Sequence, residues 1–152
     1  MRGVVVTGVV AVGEVPEKMV APHRLVGLHY ADRFEAATST IAPAEAWARA
    51  MFGDRPDAGT RFVFATLCRF RLTVDPETIA GCRVSVTGER EVVLELEGPI
   101  LRGRLVVAAH GPTVVLTTQM RYLTVRGRIV WSTLSRIHRR LAPGLLRDAA
   151  QH

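Results

Sequence analysis

At 152 residues the chain has the length of a single domain, enough to bury roughly two thirds of its unfolded surface around one core. Apolar residues make up 48% and the mean hydropathy is +0.18, which excludes a disordered chain, yet no apolar run reaches the ~20 residues that a membrane-crossing helix needs. The formal charge of +6 is carried by arginine, Lys18 being the only lysine, and its one cluster, on the last helix, reads as a solvated face, so nucleic acid is not an expected partner.

Residues 1–24 read as an N-terminal arm of uncertain order ahead of one domain over 25–152, with Pro16 and Pro22 flanking a polar stretch that has no clear period. The valine-rich opening, Met1 to Val15, has only one arginine, is interrupted by three glycines and lacks a small-x-small cleavage pattern, so a cytoplasmic location is expected. Cys68 and Cys82 are too few for a disulfide framework and lack the spacing of a zinc site, which leaves buried free thiols.

Regular structure begins with LHYADRFEAAT, Leu28 to Thr38. Alternation there puts Tyr30, Asp32, Phe34 and Ala36 on one face of a strand and His29, Ala31, Arg33 and Glu35 on the other. Pro43 sits where an N1 proline belongs, and AEAWARAMF supplies a short helix with Trp47 and Met51 on one stripe, stopped by Gly53. Thr60 to Val74 fits strand and helix patterns alike and is read as a second helix. Four strands follow at Gly81–Thr87, Glu91–Glu97, Pro99–Ala109 and Thr113–Val125, and their short connections predict an antiparallel meander. In the last of them Val114, Leu116, Thr118, Met120 and Tyr122 share the inward face.

From Arg128 to about Ala150 the period changes to that of a basic amphipathic helix. Val130, Leu134, Ile137, Leu141 and Leu145 form a continuous stripe that is expected to make the core contact, with arginines opposite. Pro143 removes a backbone hydrogen bond, so a kink near Leu141 and a flared last turn are expected. A long helix that follows a set of strands buries its stripe most readily across the concave face of their sheet, giving an α+β helix-grip fold.

Tyr30-Ala31-Asp32-Arg33-Phe34-Glu35, the later Gly127-Arg128-x-x-Trp131, and Ile137-His138 ahead of a leucine- and arginine-rich tail resemble an uncharacterised bacterial helix-grip family in the START and Bet v 1-like, polyketide cyclase-like superfamily. Members of that family are often joined to nucleotide-binding reductase domains. The resemblance covers roughly residues 28–150 and implies a hydrophobic cavity between sheet and helix. It also implies a small apolar ligand, lipid- or polyketide-like, or else cyclase- or aromatase-type chemistry on such a molecule.

Alternation and helical phase can aim Tyr30, Asp32, Thr118, Met120, Tyr122, Trp131 and His138 at one sheet-to-helix gap, walled by Phe34, Trp47, Leu116 and Leu134. Asp32, between Tyr30 and Phe34 on an inward face, is the candidate acid or base, a role that desolvation would serve by raising its pKa; Tyr30, Tyr122 and His138 would orient substrate oxygens. The competing reading makes Asp32 one half of a structural pair with Arg128 or His138. No phosphate loop, nucleophile elbow or paired histidine spacing is present, so neither cofactor nor metal is expected. Two surfaces remain for partners: a sheet edge or the last helix for a homodimer, and the helix's arginine face for an acidic partner.

Overall fold

A computed structural model describes residues 5–151. Six antiparallel strands form one curved sheet, in the order β1-β2-β6-β5-β4-β3. They are β1 (Val6–Val12), β2 (Tyr30–Ala37), β3 (Arg83–Thr87), β4 (Glu91–Glu97), β5 (Leu101–His110) and β6 (Thr113–Tyr122). Among the described residues four helices complete it: α1 (Glu17–Val20), α2 (Ala44–Phe52), α3 (Ala58–Arg61), which continues into a π-helical turn over Phe62–Leu67, and the long α4 (Val125–Gln151). This is an α+β helix-grip-like architecture, with the terminal helix packed on the sheet.

The meander β3 to β6 forms where alternation and short turns place it, and β2 closes on β6 with Tyr30 opposite Met120, Asp32 opposite Thr118 and Phe34 opposite Leu116. That register stacks the inward residues of both strands in rows on one face, because side chains directly opposite each other in a ladder lie on the same side. Trp47 and Met51 of α2 join this core, at 4% and 6% exposure. The helical reading of Thr60–Val74 holds only as far as Leu67; beyond it Cys68 and Phe70 are buried in irregular chain.

The N-terminal arm is built into the fold. β1 pairs with β2 from Val6 opposite Ala36 to Val12 opposite Tyr30. Gly8 leaves room for the Phe34 ring, since a Cβ there would lie 2.5 Å from Phe34 Cε1. Residues 13–29 then cross the outer face of the sheet as a strap, where Val15, Met19, Val20, Leu25 and Leu28 pack with Ala31 in a second small core. Polar anchors fix it: the Gln119 side chain accepts from the Leu25 amide at 2.7 Å and donates to the His23 carbonyl at 2.8 Å. Arg104 donates to the His23 and Arg24 carbonyls, and His23 pairs with Glu91. The part of the arm reading that falls on residues 1–4 lies outside the described residues.

α4 corrects three expectations. It begins a turn earlier than the strand-to-helix change in period suggested, with the Thr124 hydroxyl accepting from the Gly127 amide at 3.0 Å. Its buried face is Gly127, Trp131, Ser135, Ala142, Leu146 and Ala149, so the helix is turned by about one residue, roughly 100°, from the expected stripe. Ile137 and Leu141 are 52% and 61% exposed, while Val130 and Leu134 are half-buried at the margin. Small residues win this face because they let the helix backbone approach the strands closely. At Gly127 the approach is tight enough that any Cβ would overlap the Ile100 carbonyl. The last turn does not flare: α4 stays helical through Pro143, and Leu146, Ala149 and Ala150 are buried.

Candidate functional site

Strand alternation and the corrected phase of α4 bring three of the expected site residues into one hydrogen-bonded chain. The Tyr30 hydroxyl donates to Asp32 Oδ2 at 2.7 Å, and His138 Nε2 lies 3.0 Å from the same oxygen and hydrogen-bonds Asp32 Oδ1 at 3.4 Å. Tyr30 and Asp32 are 1% and 0% exposed, whereas the His138 side chain keeps 22% of its surface in solvent. A buried carboxylate is thus linked to an imidazole whose edge meets water. Of the two partners expected for Asp32, His138 takes the place and Arg128 stays on the surface.

Burial, reinforced by the adjacent Asp32 carboxylate, raises the Tyr30 phenol far above its ordinary pKa of 10.0. Arg139 opposes this in part; its guanidinium carbon lies 5.8 Å from the Tyr30 ring centre. The phenol therefore stays protonated and acts as a fixed donor.

Trp131 closes the cluster from α4, edge-on to Tyr30 with ring centres 5.4 Å apart and tilted against His138 at the same separation. Phe34, Trp47, Leu116 and Met120 lie in the same core, each 6% exposed or less, and Leu134 packs against it half-buried. Thr118, 1% exposed, sits opposite Asp32 across the β2–β6 ladder. Tyr122 packs half-buried against the margin of the same core. It lies four residues along β6 from Thr118, about 13 Å by strand rise, and its ring stacks on His29 at 4.9 Å and 2°. The two rings line a surface cleft of about 360 Å³ with Thr124 and Arg128.

These side chains pack together between the sheet and α4. Thr118 Oγ1 and Trp131 Nε1, with Arg139 Nε, are buried and have no hydrogen-bond partner among the described residues. Burying such a group unpaired costs about 1–3 kcal/mol. Sequence reasoning missed Arg139, although its spacing from Ser135, whose hydroxyl accepts from Arg139 Nη2 at 3.2 Å, gives the i, i+4 signal that could have found it. Among the described residues no cluster of histidine, cysteine and carboxylate side chains could hold a metal ion.

No family model and no curated protein matches the chain. Among solved structures it is similar to CalU16 from Micromonospora echinospora, at 11% identity and a TM-score of 0.36 over 96% of this chain and 92% of that one. A second similar structure is PA94 from Pseudomonas aeruginosa, described as a protein of unknown function and putative regulator, at 12% identity and a TM-score of 0.26 over 94% of this chain and 83% of that one. Likenesses at these scores carry no argument about function, so the functional reading rests on the geometry of the site.

Proposed function

We propose that the protein binds a small, mainly apolar molecule bearing one or two oxygen atoms, of the lipid- or polyketide-like class, between the sheet and α4. The observation that carries this reading is that two of the three orphaned polar groups of the described residues, Thr118 Oγ1 and Trp131 Nε1, are set among apolar walls in the cluster that holds the Tyr30–Asp32–His138 chain. Each such group carries a desolvation cost of about 1–3 kcal/mol, which pairing with a ligand oxygen would offset. A carbonyl or hydroxyl oxygen of the guest would pair with them. Entry requires the side chains of the interface to yield, and the path of least resistance is the edge of α4 at His138, where the face is built from small residues, Ser135 and Ala142.

Replacing Thr118 by Val tests this without changing side-chain volume. Removing an unpaired buried hydroxyl should leave stability unchanged or raise it, while ligand affinity falls about tenfold, the worth of one hydrogen bond. Equal affinity in both proteins would place the ligand elsewhere.

A second reading is favoured by the contact between the buried Asp32 carboxylate and the partly exposed His138 imidazole, an arrangement that can move a proton between ligand and solvent. On this reading the site performs cofactor-independent cyclisation or isomerisation, with Asp32 and His138 exchanging the proton and Tyr30 donating to a developing oxyanion. Asp32→Asn would then lower turnover about 10²-fold or more while leaving ligand affinity nearly intact.

A further inference from the structure

The rotation of α4 leaves a surface that the ligand site does not use. Ile129, Ile137 and Leu141 are 62%, 52% and 61% exposed, and Arg126, Arg136 and Arg140 lie exposed among them. At 100° per residue, these three aliphatics and the latter two arginines fall within about 140° of the helix circumference, along about 18 Å of its length. Six of the chain's arginines lie on α4 against a single acidic residue, Asp148. Arg126, Arg128, Arg136 and Arg140 form no ion pair among the described residues.

We infer that this face of α4 docks on an anionic lipid surface. Charge complementarity selects the occupant. A second copy of a chain with net charge +6 would set arginine against arginine. An acidic protein would match the charge but would have to supply apolar pockets in register with each exposed aliphatic. A lipid interface satisfies both demands at once, because guanidinium groups reach headgroup phosphates while the aliphatic side chains enter the acyl boundary. The helix lies on the membrane and does not cross it, and no helix among the described residues is long and apolar enough to span one.

The test is co-sedimentation of the full chain with vesicles of phosphatidylcholine alone and of phosphatidylcholine mixed with phosphatidylglycerol. Wild type should bind the anionic vesicles and be released by high salt. The pair Arg136→Gln and Arg140→Gln should weaken partitioning about 30-fold, at the usual worth of an arginine near an anionic surface. Ile137→Gln with Leu141→Gln should weaken it at least as far, with an unchanged melting temperature showing that the fold is intact. Equal binding to both vesicles, or binding to neither, overturns the inference. So does anionic binding that survives loss of Ile137 and Leu141, since that is adhesion by charge alone, which an acidic protein or polymer would also give.

Discussion

Asp32 and His138, 106 residues apart in the chain, meet across the sheet–helix interface with His138 Nε2 3.0 Å from Asp32 Oδ2. Because the carboxylate is fully buried and Tyr30 donates to the same oxygen, the pair should be energetically coupled. A double-mutant cycle of Asp32→Asn and His138→Gln, read by urea unfolding, should give an interaction energy of about 1 kcal/mol or more. A value near zero would make the contact incidental. Asp32→Ala should cost about 1–3 kcal/mol, since it leaves the buried Tyr30 hydroxyl without its acceptor.

Two glycines of α4 should respond oppositely to alanine. Gly144 has open space where a Cβ would go, so Gly144→Ala should stabilise by about 0.4–1 kcal/mol through helix propensity and the unfolded state. Gly127 faces the Ile100 carbonyl, and Gly127→Ala should destabilise by about 1–3 kcal/mol despite the same propensity gain. Thermal unfolding of the two variants decides it, and stabilisation by both would refute the close approach of α4 to β5.

The strap over the outer face depends on Gln119. Replacing it by Leu leaves the Leu25 amide buried without its acceptor, at about 1–3 kcal/mol. Hydrogen exchange should show the Leu25 amide losing protection while the β5–β6 ladder keeps its own. Unchanged protection at Leu25 would mean that Arg104, the His23–Glu91 pair and the apolar contacts of Val15, Met19 and Val20 hold the strap without Gln119.

Alkaline pH should expose the buried thiols. Burial pushes Cys68 and Cys82 from the ordinary 9.0 up to about 12, and it raises the Tyr30 phenol as well. The folded chain therefore holds protons that the unfolded chain has released. The stability tied to each thiol is fully present below about pH 9 and is lost as pH climbs toward about 12, at about 1.4 kcal/mol per pH unit per group. Urea midpoints measured under reductant should fall across that window, and less steeply in Cys68→Ala. A flat profile would contradict the burial.

Much of this arrangement was legible in the sequence. Alternation in Tyr30–Phe34 and Leu116–Met120 assigned each inward side chain to its face, and the ladder then set Asp32 beside Thr118. The phase of α4 was misread because periodicity weighs large aliphatics, whereas the interface selects Ser135, Ala142 and Ala149 for close approach and leaves Ile137 and Leu141 outside. β1 escaped notice because VTGVVAV carries apolar residues on both faces and so shows no alternation. The orphaned state of Thr118 Oγ1 and Trp131 Nε1 has no sequence signature at all, since it depends on what three elements fail to offer them.

The central claim is tested most directly by the emission of Trp131 in a Trp47→Phe background, where it is the only tryptophan, during titration with a hydroxylated naphthalene and with a fatty acid. The account predicts a saturable change at one molecule per chain for at least one of the two, with affinity about tenfold weaker once Thr118→Val is added. No saturable change with either compound, or one that Thr118→Val leaves unaltered, would contradict a ligand site between the sheet and α4.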